Sequence, residues 1–244
     1  MIKGNFNSHA QNYDKYAQIQ RRIASALIEK IPHNFKALRI LEIGAGTGFI
    51  SQELKQRFPK ASILVCDPAP EMIKVASEKL GTEFDFQVCE LPKTSHKFDI
   101  IISSMAIQWV RDWDSWMKDI ANLANNKAII LVATPTAGTL EFLPQAFKKA
   151  QIEYKGLLYR MAEDLQKSAE QCLSQVNHST HDFCENFNSS IEFFKKIHRI
   201  GANVEEKLSP GQLRKLIKEC EKLKTHNILN ARYQVTFLQA QNYD

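Results

Sequence analysis

Two hydrophobic rhythms alternate along the first half of the chain. Short apolar runs occur at residues 40–43 ("ILEI"), 62–67 ("SILVCD"), 84–88 ("FDFQV"), 98–104 ("FDIIISS") and 127–135 ("KAIILVATP"). They have the length and β-branched content of buried strands. Helical periods lie between them. Phe49, Ile50, Leu54 and Phe58 share one face, "PEMIKVASEKLG" starts on Pro70 and stops on Gly81, and "DWDSWMKDIANLA" forms a third helix. This alternation predicts a parallel α/β sheet with helices on both faces, and ligands of such sheets bind beyond the carboxyl ends of the strands. Residues 5–30 also read as helical, with Ile19, Ile23, Ala26 and Leu27 as an apolar stripe.

After Pro135 the rhythm changes. Residues 140–175 read as helical through Leu140, Leu143, Phe147, Leu157, Leu158, Met161 and Leu165. "HDFCENF" suggests a strand, and "NSSIEFFKKIHRIGAN" a helix ended by Gly201. "SPGQLRKLIKECEKLK" carries a full start signal: Ser209 as N-cap, Pro210 at the first position and Gln212 for a capping box. Its apolar face is Leu213, Leu216, Ile217, Cys220 and Leu223, with Arg214, Lys215, Lys218 and Lys222 opposite. "RYQVTFLQA" alternates as a closing strand. The expected plan is one domain: N-terminal helices over 1–35, a ligand-binding core over 36–135, a mainly helical cap insertion over 136–225, and a return to the sheet over 226–244.

Composition narrows the class. With 244 residues, 44% of them hydrophobic and 24% charged, the chain can build one sizeable core. It has no apolar run of bilayer length and no signal-peptide core at its start, so no membrane partner is expected. Five scattered cysteines fit a reducing, cytoplasmic setting better than a disulfide framework. The formal net charge is +5, and residues 191–224 hold nine Lys/Arg against five Asp/Glu. That excess suits an acidic partner, though a solvated helix face explains it as simply.

The stretch "LEIGAGTGFISQELKQRF" bears on cofactor. Gly44, Gly46 and Gly48 fall between a strand and a helix, where glycine permits positive φ and close ligand approach. The helix start there offers N–H groups to polar or anionic ligand groups. A dinucleotide site wants G-x-G-x-x-G, and here the third glycine comes one position early. Glu42, at the end of the first strand, would repel pyrophosphate but welcome an amino group and a sulfonium. Asp67, at the end of the second strand, can accept both ribose hydroxyls of either cofactor class. Together these residues indicate S-adenosylmethionine.

"LEIGAGTG", Asp67 and "FDIIISSMAIQW" resemble the class I S-adenosylmethionine-dependent methyltransferases, with their Rossmann-like sheet. "FNSHAQNYDKYAQIQRRIASALI", "SSMAIQW", "FFKKIHRIGAN" and "LSPGQLRKLI" extend the likeness to the malonyl-[acyl-carrier protein] O-methyltransferase family of biotin synthesis. The resemblance implies methylation of the free carboxyl of malonyl-acyl-carrier protein, the start of pimelate synthesis. It implies that Glu42, Gly44, Gly46 and Gly48 surround the methionine part of the cofactor, that Asp67 holds the ribose, and that Ser103 and Ser104 lie along it. Gln108 and Trp109 would sit where the methyl meets substrate, and Tyr13 and Tyr16 would close over the cofactor. The family's adenine-contacting Asp has no direct counterpart. Gln87 takes its place without a gap and Glu90 with a short deletion, and both stay open.

A carboxylate is already ionised at pH 7, so its methylation needs alignment and desolvation but no general base. No His/Asp pair falls in the expected loops, in keeping with this. Candidates to hold the malonyl carboxylate are Tyr13, Gln108, Trp109 and the pair His198–Arg199. Surface exposure on a basic helix is the simpler account of His198 and Arg199, and core packing would equally explain Trp109 and Trp113. Lys195, Lys196, Arg199, Arg214, Lys215 and Lys218 are candidates to dock the acidic carrier protein. The window Cys172, His178, His181 and Cys184 matches no usual zinc spacing, so no metal is expected. The alternatives are another small-molecule carboxyl or quinone-precursor methyltransferase, or a nucleic-acid-binding module. The basic segment lacks the interleaved aromatics that base stacking needs, so no nucleic acid is expected.

Overall fold

The structure, a computed structural model, describes residues 5–202 and 208–242. Seven strands form one sheet: β1 (Arg39–Ile43), β2 (Ser62–Asp67), β3 (Asp85–Val88), β4 (Phe98–Ser104), β5 (Ala124–Pro135), β6 (Ser174–Phe187) and β7 (Leu229–Gln241). Their order is β3-β2-β1-β4-β5-β7-β6. The first five strands are parallel, whereas β7 runs antiparallel to β5 and β6 antiparallel to β7. The strand order reverses direction between β1 and β4, and the crevice beyond their carboxyl ends is the switch point where such sheets take ligands.

Nine helices are described: α1 (Phe6–Tyr16), α2 (Gln18–Ile28), α3 (Phe49–Arg57), α4 (Pro70–Leu80), α5 (Trp113–Leu123), α6 (Phe142–Lys149), α7 (Ala162–Glu170), α8 (Ser190–Arg199) and α9 (Pro210–Glu221). The central strands are buried on both faces, so alternate residues feed two cores. Ile40, Ile63, Ile100, Ile102, Ile129 and Leu131 meet α2, α3, α6, α8 and α9. Leu41, Leu64, Ile101, Ile130 and Val132 meet α5 and α7. The start of the sheet is pinned by Asp99, whose carboxylate accepts from the N–H groups of Leu38 and Arg39 (2.8 and 3.0 Å) and from the Asn125 amide.

Local signals act largely as the residue types dictate. Gly81 ends α4 at φ +79°, and Ser209 and Gln212 form the reciprocal capping box of α9. Two stretches differ from expectation. Residues 150–161 are not helical: Leu158 is 81% exposed and Met161 54%, so their apolar spacing does not mark a buried stripe. The 136–225 segment also supplies β6, a 14-residue edge strand that starts seven residues before "HDFCENF" and joins the main sheet. Asn203, at the end of "IGAN", and residues 1–4 and 243–244 of the expected terminal elements lie outside the described residues.

Candidate active site

A cavity of about 630 Å³ opens at the carboxyl ends of β1, β2 and β4. The glycine loop forms its floor. Gly44, Gly46 and Gly48 all have positive φ, between +56° and +78°. Four N–H groups of the loop and the following helix turn already have acceptors. Ala45 N–H donates to the Cys66 carbonyl and Gly48 N–H to Ala45, both at 3.0 Å. Gly46 N–H donates to Asp67 Oδ2 at 2.9 Å, and Ser51 N–H to Glu42 Oε2 at 2.8 Å. The N–H groups of Gly46 in the loop and of Ser51 in the first turn of the helix are therefore taken by two carboxyl groups of the protein itself. This arrangement withdraws those two donors from a pyrophosphate.

Glu42 is 2% exposed and also accepts from the Ser51 hydroxyl. Burial pushes its carboxyl up to about 8, against the two Ser51 hydrogen bonds that favour the charged form. Burial likewise raises Asp67, opposed by the N–H groups of Ala69 and Gly46. Each Asp67 oxygen accepts one backbone N–H and keeps a lone pair for a ligand hydroxyl. Asp14, Glu42, Asp67 and Glu90 line the cavity, and Arg21 is the one Lys or Arg among the lining residues. Four acids and one cation suit a ligand that is cationic overall and carries one carboxylate.

Three buried polar atoms on this wall have no hydrogen-bond partner among the described residues: Gln20 Oε1, Arg21 Nε and Ser104 Oγ. Buried polar atoms are rarely left so, and here each belongs to a residue that faces a ligand-sized space. Ser103, by contrast, donates to the Ile43 carbonyl at 2.9 Å and ties β4 to β1.

The roof is α1 and α2. Tyr13, Asp14, Ala17, Gln20, Arg21 and Ala24 line the cavity at helical spacing, through the break at Ala17. Asp14 anchors this roof to the loop. It accepts from Thr47 Oγ1 at 2.5 Å and pairs with Lys79 and Arg21, each at 3.2 Å. Burial acts to raise its carboxyl, but Thr47, Lys79 and Arg21 outweigh it and hold the group below its usual range. The Tyr13 phenol is pushed up by burial and by the nearby Asp67 and Asp14, so it stays a protonated donor.

The remaining sequence candidates separate. Trp109 lines the cavity and meets Phe6 edge-to-face at 5.5 Å. Gln108 does not line it. Its amide donates to the Met105 carbonyl at 2.7 Å and accepts from Thr134 Oγ1 at 3.4 Å, stapling the turn after β4, where Met105 sits at φ +55°. Glu90 lines the cavity and Gln87 does not. Gln87 is exposed on edge strand β3, and the Cys89 N–H, bonded to the Asp67 carbonyl at 3.1 Å, turns the following residues inward.

Tyr16 and the pair His198–Arg199 also fall outside the lining. The buried face of α8 is Phe193, Phe194 and Ile197, so residues 198 and 199 point away from it. His198 meets His9 at 5.1 Å and Arg199 lies over Tyr16 at 4.8 Å. Trp113 is core: it is 2% exposed, and its indole donates to the Ile107 carbonyl. Among the described residues no group of three or more His, Cys, Asp or Glu is placed to hold a metal. Arg21 and Gln20 were missed from sequence, although their i, i+4, i+7, i+8 relation to Tyr13 and Ala17 is a legible signal.

The sheet order and the glycine loop braced by Glu42 and Asp67 define a class I methyltransferase fold, and a family profile described as a methyltransferase domain matches residues 13–200. The phosphoethanolamine N-methyltransferase 2 of Haemonchus contortus, solved in complex with S-adenosyl-L-methionine, has the same fold (TM-score 0.61, 17% identity, 98% of this chain and 57% of that one). The malonyl-[acyl-carrier protein] O-methyltransferase of Bacillus cytotoxicus is 30% identical, covering 83% of this chain and 75% of its own, and that of Bacillus anthracis is 28% identical, covering 83% and 80%. The chain belongs to this malonyl-[acyl-carrier protein] O-methyltransferase family.

Proposed function

We propose that this protein transfers the methyl group of S-adenosylmethionine to the free carboxyl of malonyl-acyl-carrier protein, the esterification that opens pimelate and biotin synthesis. The observation that carries the acceptor is the likeness to named malonyl-[acyl-carrier protein] methyltransferases over 83% of the chain. The acid-rich cavity supports the cofactor, which supplies a methyl group carried on a sulfonium.

The residues divide the binding work by charge. Glu42 receives the amino group, and Arg21, the one cation on the wall, receives the carboxylate. Asp67 takes the ribose hydroxyls and Glu90 the adenine side. Tyr13, on the roof, and Trp109 close the reacting end against water. Among the described residues neither cavity wall carries a histidine, which suits an acceptor that arrives ionised. The protein's share of the rate is then alignment and exclusion of water.

Exposed Lys195, Arg214, Lys215 and Lys218 are the cations offered to an acidic carrier. Lys196 is withdrawn from that set, because it is ion-paired with Glu185 and bonded to Gln18. Among the described residues no helix is long and apolar enough to cross a membrane. We place the protein in the reducing cytoplasm, where all five cysteines remain thiols.

The test is methyl transfer from labelled S-adenosylmethionine to malonyl-carrier protein, malonyl-coenzyme A and free malonate side by side. The expected product is the methyl ester of a malonyl thioester. Labelling of none of the three refutes the acceptor assignment.

A further inference from the structure

A second cavity, of about 330 Å³, lies against the first, and Trp109 and Val110 line both. Its other walls are Gln108, Arg111, Trp113, Pro135 and the loop Gly156, Leu157, Leu158, Tyr159 and Arg160. Among the described residues no Asp or Glu lines it, whereas four line the cofactor cavity. The two spaces thus differ in sign and share a wall of one indole and one valine.

The cationic side is built rather than incidental. The Arg160 guanidinium lies over the Trp113 ring at 4.9 Å and donates to the Arg111 carbonyl. Its own carbonyl accepts from Ala137 N–H at 2.8 Å, which fixes the loop to the end of β5. Trp113 is in turn held in the core. A guanidinium so stacked loses little freedom on meeting a planar anion. The Arg111 side chain makes no ion pair with any described residue. The nearby acid, Asp112, is engaged as the N-cap of α5, accepting from Ser115 N–H at 3.0 Å and Ser115 Oγ at 2.8 Å. The Tyr159 hydroxyl has no hydrogen-bond partner among the described residues and remains a donor. Exposed Leu158 forms an apolar lip at the entrance.

We propose that this second cavity is the acceptor site, in which Arg160, Arg111 and the Tyr159 hydroxyl bind the acyl carboxylate and present it past Trp109 to the cofactor cavity. The inference rests on the reading of the protein as a carboxyl methyltransferase. It replaces His198 and Arg199, which lie outside both cavities, as the carboxylate's cations. The apolar lip of Leu157 and Leu158 faces the uncharged thioester arm.

The test uses the full chain and two readouts. In the first, malonate and acetate are titrated calorimetrically into protein loaded with S-adenosylhomocysteine. In the second, KM and kcat are measured for malonyl-carrier protein. Arg160→Gln is expected to abolish the preference for malonate over acetate and to raise KM about tenfold, equivalent to ~1.4 kcal/mol. The kcat and the affinity for S-adenosylhomocysteine should stay within threefold, and Arg160→Lys should recover part of the loss. Arg111→Gln, whose side chain makes no hydrogen bond or ion pair among the described residues, is expected to act in the same direction and guards against a folding defect in the first variant. Unchanged malonate selectivity and KM in both Gln variants overturn the site. Malonate binding that depends on Arg160 in a protein that methylates no malonyl thioester upholds the anion site and removes the reaction assigned to it.

Discussion

Glu42 is where charge and burial conflict most sharply. Held up to about 8 by desolvation, it is largely protonated at pH 7 when the cavity holds no cation. Its folded pKa lies above the unfolded one, so it favours the fold most at acid pH, and that contribution falls between about pH 4.5 and 8. An ammonium group placed against it reverses the preference and expels the proton. Cofactor affinity should therefore rise from pH 6 toward 8. Above that range it should fall again as the ligand's own amino group, with an ordinary value near ~7.7–8.0, deprotonates. Calorimetry at pH 7 in two buffers of different ionisation enthalpy should read release of most of a proton, and Glu42→Gln should erase it. A pH-independent affinity in the wild type would remove Glu42 from the ammonium contact.

The three loop glycines also part company at this scale. A Cβ on Gly44 would sit 2.3 Å from the Ala106 Cβ, whereas one on Gly46 meets only the Tyr13 ring, at 3.9 Å. Gly44→Ala should therefore lower the melting temperature by several degrees. Gly46→Val should remain folded, with a left-handed backbone penalty of ~1–2 kcal/mol, and lose cofactor binding. Tight binding by folded Gly46→Val, read by calorimetry, would refute the loop assignment.

At the scale of elements, the roof over the site is held from two sides. Asp14 and Lys79 tie α1 to the loop and to α4, and Asn7 Oδ1 accepts from Glu71 N–H at 2.9 Å. At the other end Asn5 N–H donates to the Gly201 carbonyl at 2.9 Å. Gly201, at φ +75°, closes α8, and a Cβ there would lie 2.8–2.9 Å from the backbone of Asn5 and Phe6. The glycine of "RIGAN" thus serves both as a helix stop and as the seat of the N-terminal helix, whose Phe6 supports Trp109. Gly201→Ala should destabilise the protein by ~2 kcal/mol, or about 4–8 °C. It should also weaken cofactor binding several-fold, although residue 201 lines neither cavity. A variant with lowered melting temperature but unchanged cofactor affinity would confine Gly201 to its role as a cap.

At the scale of the whole molecule, one sheet separates a helical face that carries the basic helices α8 and α9 from the opposite face built on α5 and α7. Arg214, Lys215 and Lys218 are exposed on α9. Reversing Arg214 and Lys218 to Glu should raise KM for malonyl-carrier protein up to about tenfold at low salt, with the difference shrinking as salt rises. Activity on a small malonyl thioester should be unaltered. Equal kinetics at low ionic strength would make this a solvated face and nothing more.

What the sequence determined by itself was what short-range physics controls. Two-sided apolar runs became central strands, Pro70 and Gly81 bounded α4, and Ser209 with Gln212 capped α9, because each depends on neighbours within a turn or on burial alone. Glu42 and Asp67 were legible because strand ends of a parallel sheet converge on one crevice. Tertiary packing decided the rest. The spacing of Leu157, Leu158 and Met161 imitates a helix, yet that loop lies across a cavity edge where no second face exists to bury it. Gln87 and Glu90 were indistinguishable until the Cys89–Asp67 bond turned the chain after β3. His198 and Arg199 were drawn away by the aromatic face of α8. Arg21, Arg111 and Arg160 acquire their meaning only where segments remote in sequence meet, since the sign of a cavity is the sum of charges that no single stretch contains.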